Sequence, residues 1–185
     1  AAASRDLSIL SPAPYLFASR IAGLDPAIAD WAAPLLPPDR SIVEAAHALT
    51  HAVHEKIAYQ SGSSTSRTPP GEAFAAGRGV CQDQSHVMIA ALRSLGIPAG
   101  YVSGFLRTTP PAVRPRLQGA DAMHAWVRAW CGAETGWVEY DPTNDLLVGA
   151  DGEETLLLDR AEEHRLLVEA FDRVAARHPD VRLVL

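Results

Sequence analysis

Apolar positions recur with a helical period from residue 42 onward. Ile42, Ala45, Ala46, Leu49, Val53 and Ile57 form one stripe, the spacing of an amphipathic helix with its apolar face toward a core. Ser41 stands just before it with Glu44 three residues on, a capping-box pattern that marks the helix start. Tyr59 lies near its end. A second helical stretch runs from Cys81 to Leu95. Ser85, Met88, Ile89, Leu92 and Leu95 share a face there, and Gly96 supplies the stop signal. The period then shortens to two. Residues 99–106, 122–131 and 136–140 read as strands, and the last two are joined by a short Gly-Ala-Glu-Thr turn that predicts an antiparallel hairpin.

Between and around these elements the chain is punctuated. Residues 1–40 are rich in Pro and Ala, so this arm is expected to hold only short helical turns around 15–22 and 26–35. Residues 60–71 read as an exposed Ser/Thr/Gly/Pro loop, followed by a helical turn over 72–76. Residues 108–120 form a Pro-rich loop. Beyond Asp141-Pro142, Asp159 and Glu162 make a further capping box. Leu167, Ala170, Phe171 and Val174 then line a helical face up to Pro179, and 181–185 could close as a short strand. The expected organisation is one α+β domain. It comprises an arm (1–40), a core (41–147) and a carboxyl-terminal loop and amphipathic helix (148–185) that is a candidate partner surface.

Length and composition change little. The 185 residues suit a single core, and the net charge of −6 without a Lys/Arg run argues against nucleic acid and anionic membranes as partners. No apolar stretch approaches the ~20 residues that span a bilayer. The first seven residues lack the apolar core of a signal peptide, so a cytoplasmic location is the expectation. The chain does not begin with Met, which leaves an upstream segment open. Cys81 and Cys131 are the only cysteines, too few for a disulfide scaffold.

Cys81 is the residue with chemistry in its setting. A free Cys is ordinarily a small buried hydrophobe. This one follows Gly77-Arg-Gly-Val80 and opens a helix, where unpaired N–H groups and the helix dipole stabilise a thiolate and could hold an oxyanion. The glycines ahead of it remove side chains that would block backbone approach. A cysteine nucleophile needs a base. His86 lies five residues on, about 140° around the axis and about 7.5 Å along it, which suits packing better than proton transfer. His47, His51 and His54 share a face compatible with metal, but no Cys or carboxylate motif completes a site. The expectation is no metal and a solvated helix face. His164 and His178 belong to the carboxyl-terminal helix.

His124 remains, at the start of an alternating strand in which residues 124, 126, 128 and 130 face one way. Asp141 closes the partner strand. It could orient the imidazole or simply open a turn before Pro142.

Three ordered segments resemble the transglutaminase-like superfamily, most closely its bacterial cysteine-peptidase members. They are Gly77-Arg-Gly-Val-Cys-Gln-Asp-Gln-Ser-His86, Met123-His-Ala-Trp-Val127 and Gly136-Trp-Val-Glu-Tyr-Asp-Pro-Thr-Asn144. Arg93-Ser-Leu-Gly-Ile-Pro-Ala99 and Tyr101-Val-Ser-Gly104 match as well, and the similarity extends weakly upstream through Tyr59 and Thr68-Pro69, to cover about residues 40–147. The resemblance implies a papain-like fold with a nucleophile helix on an antiparallel sheet. It implies Cys81 as nucleophile, His124 as general base and acid, and Asp141 as the orienting carboxylate. The Cys81 N–H would contribute to an oxyanion hole, with Tyr59 or Gln60 as the second donor. Gln82 and Asp83 match the motif too; Gln82, with Trp126 and Trp137, is a candidate for the cleft wall, and Asp83 supports the first turn.

The implied activity is cysteine-dependent acyl transfer on an amide or peptide substrate through a thioester, with hydrolysis favoured and no cofactor. Transamidation and a non-catalytic binding module are the alternatives, and a Cys81–Cys131 redox pair is a third idea. The sequence departs from the family in two places. A β-rich domain often precedes the core in bacterial relatives, and here only a Pro-rich remnant of its boundary is expected; from Leu146 to Leu185 the chain reads as loop and amphipathic helix where relatives continue in strands.

Overall fold

The computed structural model describes residues 11–105, 118 and 123–148. Its elements run α1 (Pro26–Ala32), α2 (Ile42–Lys56), β1 (Ala58–Tyr59), α3 (Pro70–Ala76), β2 (Arg78–Gly79), α4 (Cys81–Ser94), β3 (Ala99–Phe105), β4 (Met123–Trp130), β5 (Trp137–Asp141) and β6 (Leu146–Leu147). The expected helix over 159–179, the strand over 181–185 and all of the loop 108–120 except Gln118 lie outside the described residues.

The caps behave as their chemistry dictates. The Ser41 hydroxyl accepts from the N–H of Glu44 and donates to that residue's carboxylate at 2.7 Å, so α2 starts where the capping box places it. Asp25 caps α1 by accepting from the N–H groups of Ala27 and Ile28. Two expectations shift. The arm's first turn is a 3-10 turn at Ala13–Leu16, earlier than the short helical turn expected around 15–22, because Pro12 and Pro14 favour a tight turn and end it quickly. The loop after residue 60 stops short of 71, since Pro70 takes the first helical position of α3, where a missing N–H costs nothing.

A four-stranded antiparallel sheet runs in the order β3-β4-β5-β6. The predicted hairpin is present, with Trp130 opposite Trp137 and Val127 opposite Tyr140. The segment beginning at Leu146, expected as loop, instead adds a fourth strand in which Leu146 pairs with Asp141. Asp141 therefore ends a strand held on both sides. A second, two-stranded parallel sheet joins β1 to β2 through Ala58↔Arg78 and Tyr59↔Gly79. Two residues per strand leave too little periodicity to read from sequence.

Helix α4 is the centre of the molecule. It touches α1, α2 and α3 as well as β3 and β4, and every residue from Asp83 to Leu92 is buried. The expected one-faced stripe is thus an underestimate: Val87, Ala90 and Ala91 join Met88, Ile89 and Leu92 in the core, with Leu49, Val53 and Ile57 of α2 and Val127, Ala129 and Tyr140 of the sheet. A helix enclosed on all sides has no solvated stripe to reveal its period. Each fully buried Leu, Ile or Met stabilises the fold by roughly 1.5–3 kcal/mol before chain entropy is counted. This packing holds Cys81, at the amino end of α4, against the open end of the sheet.

Candidate active site

The approach to Cys81 explains both glycines of its motif. Gly77 ends α3 in the left-handed region, φ +63°, a conformation that costs an L side chain and not glycine. Gly79 serves a different purpose: a Cβ there would lie 2.6 Å from the Asp83 Cβ and 2.8 Å from its Oδ2. That space lets the Asp83 carboxylate fold back over the helix start. Its Oδ2 accepts from the N–H of Val80 at 2.7 Å and from the Ser64 hydroxyl. Asp83 thus supports the first turn, as expected. Among the described residues none accepts the N–H of Cys81 or Gln82, so these two donors stay available at the positive end of the helix.

His124 and Asp141 meet across β4 and β5. His124 Nε2 lies 2.8 Å from Asp141 Oδ2, and both residues are buried, at 1% exposure each. The other ring nitrogen, Nδ1, is buried and bonds to no described residue, while Cys81 stands close enough to act on the ring. Burial alone would discharge the imidazole. The Asp141 carboxylate and the Cys81 sulfur outweigh it and push the His124 pKa up to about 9. The thiol and Nδ1 stop short of a formed hydrogen bond, a looseness common before substrate binds.

Asp141 bonds both the imidazole and the turn that follows it. Oδ2 holds His124 and also accepts from Asn144 Nδ2 at 2.7 Å. Oδ1 accepts from the N–H groups of Thr143 and Asn144 and so closes the turn through Pro142.

The other expected site residues are placed as follows. Gln60 donates its backbone N–H to Gly79 O at 2.7 Å, which leaves only its side chain free. In a parallel pair alternate residues face the partner, so the Tyr59 N–H points away from β2. Gln82 is half-buried on the first turn of α4. Trp126 is buried rather than lining an open wall. Its ring stacks on His124 with 6.2 Å between centroids, and its indole N–H donates to Glu139 at 2.7 Å. Trp137 is taken out of any cleft with Cys81. It sits four residues, roughly 13 Å, along β5 from Asp141, packed against Tyr15, Trp130 and the Arg128 guanidinium. Cys131 lies at the far end of β4 from His124, and both cysteines are free. Its neighbour is the Tyr140 hydroxyl at 3.6 Å, which removes the redox pairing.

Two of the three histidines of α2 depart from the solvated face expected, while His47 is exposed. His51 Nδ1 lies 2.8 Å from Asp145, and His54 Nδ1–H donates to the carbonyls of Pro142 and Thr143. They clasp the loop that follows Asp141. Among the described residues, no three His, Cys, Asp or Glu side chains are grouped to hold a metal ion. His86 is buried with its Nδ1 unpartnered and its ring 5.2 Å from that of Tyr101. Burial lowers its pKa and keeps it neutral. Burial first, then electrostatic coupling to Cys81 and Asp83, raises the pKa of the Tyr101 hydroxyl, and Tyr101 is 42% exposed. Gln84, unremarked in sequence, is buried between Ile57 and Thr143. Its only local signal was a polar side chain inside an apolar helix.

A helix-borne cysteine, a strand-borne histidine and a carboxylate on the next strand define a papain-like arrangement. Residues 29–142 match the transglutaminase-like superfamily, and the chain belongs to that superfamily. It is 42% identical over 125 residues to the Mycobacterium tuberculosis protein Rv2569c, covering 66% of this chain and 40% of that one. The Mycobacterium leprae protein ML0607 is 50% identical over 70 residues, 37% of this chain and 23% of the relative. The chain thus spans less than half the length of these relatives. Among solved structures, a candidate cysteine protease from Cytophaga hutchinsonii superposes with a TM-score of 0.58 at 28% identity, over 72% of this chain and 42% of that one. The periplasmic domain of TgpA from Pseudomonas aeruginosa, bound to ethylmercury, shares the fold with a TM-score of 0.52 at 23% identity, over 73% and 49% of the two chains.

Proposed function

We propose that this protein is a cysteine-dependent acyl-transfer enzyme that works through a thioester on an amide or peptide carbonyl. The buried His124–Asp141 pair beside Cys81 carries this reading. The Cys81 thiol gives its proton to His124 Nδ1, and Asp141 stabilises the resulting imidazolium. The thiolate attacks the carbonyl carbon, and the oxyanion is met by the free N–H groups that open α4. His124 returns the proton to the leaving amine as the C–N bond breaks. Water then attacks the thioester, with His124 as base, and releases the acid and the free thiol. Hydrolysis is favoured over transamidation, because excluding water from the thioester requires a closed tunnel. The substrate is a peptide, a protein or a small amide, and the reaction needs no metal or other cofactor.

Intact-mass analysis tests this with p-nitrophenyl acetate as acyl donor, in excess chelator. The expected result is one acetyl group on the wild type, none on Cys81→Ala and a much slower gain on His124→Ala. Decay of the adduct in water alone marks a hydrolase, and decay that needs an added primary amine marks a transamidase. No adduct on the folded wild type would overturn the reading and favour a binding module.

A further inference from the structure

The nucleophile and its acid–base pair come from elements that meet only at their ends, so something must set the distance between them. Gln84 sits on α4 three residues after Cys81, and Thr143 sits two residues after Asp141. The Thr143 hydroxyl donates to Gln84 Oε1 at 2.7 Å, and Gln84 Nε2 donates to the carbonyl of Ile57 at 2.8 Å. Gln84 is 1% and Thr143 3% exposed. An apolar side chain would fill the same space without the cost of burying an amide. What an apolar side chain lacks is the ability to bind two other segments at once. The amide has one donor end and one acceptor end, and each is used on a different element.

Ile57 caps the end of α2, which also sends His54 to the carbonyls of Pro142 and Thr143. The Asp141 turn is therefore tied to α2 and α4 independently of the sheet. Given the acyl-transfer reading, on which this rests, we propose that Gln84 and Thr143 form a positioning brace that fixes the Asp141 turn, and through it His124, against the Cys81 helix. Neither residue touches the reacting atoms. They act through Asp141, which holds His124 Nε2 at 2.8 Å. When the brace is cut, the turn keeps its own closing bonds from Thr143 and Asn144 to Asp141 Oδ1 but loses its registration to α4. His124 then assists the thiol less well, while the chain stays folded.

Alkylation by iodoacetamide across pH, followed by mass mapping of the Cys81 peptide to separate it from free Cys131, measures this. The S–C bond forms, the C–I bond breaks, iodide leaves, and the thiol proton goes to His124 or to solvent. Thr143→Val keeps the shape and removes the donor. At pH 7 it is expected to label about tenfold more slowly than wild type, the consequence of losing one buried hydrogen bond. Above pH ~10 the two rates converge, because the thiol there ionises without help. Thr143→Ser, which keeps the hydroxyl, restores labelling at pH 7. Gln84→Met repeats the test from the other end.

A folded Thr143→Val that labels like wild type at pH 7 would overturn the brace and leave the acyl-transfer reading standing. A wild type whose labelling rises only near the ordinary thiol pKa of about 8.5 would overturn both. Equal slowing at every pH, or unfolding of both Thr143→Val and Gln84→Met, would make the pair a stability element and not a positioning one.

Discussion

Asp141 holds His124 with one carboxylate oxygen, at 2.8 Å, while its other oxygen closes the turn that follows. The imidazole is thus oriented by a group that is itself immobilised by local backbone. The charge of Asp141 and its geometry can be separated by substitution.

Asp141→Asn keeps an oxygen to close the turn and removes the charge. The pKa of His124, pushed up to about 9 in the wild type, is expected to fall by at least about one unit. NMR titration of the His124 ring reads this directly. An unchanged value would mean that Asp141 is not what sustains the imidazolium.

The same shift predicts how stability varies with pH. A histidine whose folded pKa exceeds its unfolded value of 6.5 stabilises the fold fully below 6.5. That contribution is lost as pH rises through about 9. Urea denaturation of the wild type should therefore show stability declining across pH 6.5–9. Asp141→Asn should show a shallower decline across the same window, and parallel curves would contradict the coupling.

Gly79→Ala places a Cβ against the Asp83 carboxylate and dislodges it from the Val80 N–H. Loss of a helix cap costs about 1 kcal/mol, up to about 2, so Tm should fall by roughly 2–8 °C in this size range. Calorimetry measures it. Gly96→Ala does not serve as a control, since φ at Gly96 is +78° and strain would enter for another reason.

Arg128 packs on both Tyr15 and Trp137, 4.8 and 4.7 Å from their ring centroids, the two rings meet edge-on at 5.1 Å, and the guanidinium donates to the Tyr15 hydroxyl. This three-way cluster fastens the amino-terminal arm to the sheet. Arg128→Leu should speed tryptic cleavage after exposed Arg20 several-fold, with cleavage after exposed Arg67 unchanged. Equal rates at Arg20 in both proteins would show that the arm is held elsewhere.

Much of the local structure was legible because its causes are local. The Ser41–Glu44 box, the glycines before Cys81, the Gly96 stop and the period-two strands all act within a few residues. The order of Cys81, His124 and Asp141 was legible as well, and with their flanking motifs it pointed to the superfamily that the match over residues 29–142 shows. The two-residue strands β1, β2 and β6 carried too little pattern to be seen. Trp126 and Trp137 could be assigned to one side of the sheet from alternation, but not to a cleft or a packed cluster. That choice depends on where the arm lies.

The environment of the candidate site was decided by contacts that no local rule can anticipate. Gln84 meets Thr143 across 59 positions, His54 meets Thr143 across 89, and His51 meets Asp145 across 94. In sequence these are polar residues on helices, and propensity gives them no partner. Only when α4 is enclosed by three helices and a sheet does the amide of Gln84 lose water and require two bonds. The residues suited to the chemistry were thus determined by the sequence alone, through spacing and residue type. How those residues are held to one another was decided by tertiary packing, because burial is what turns a polar side chain into a structural tie.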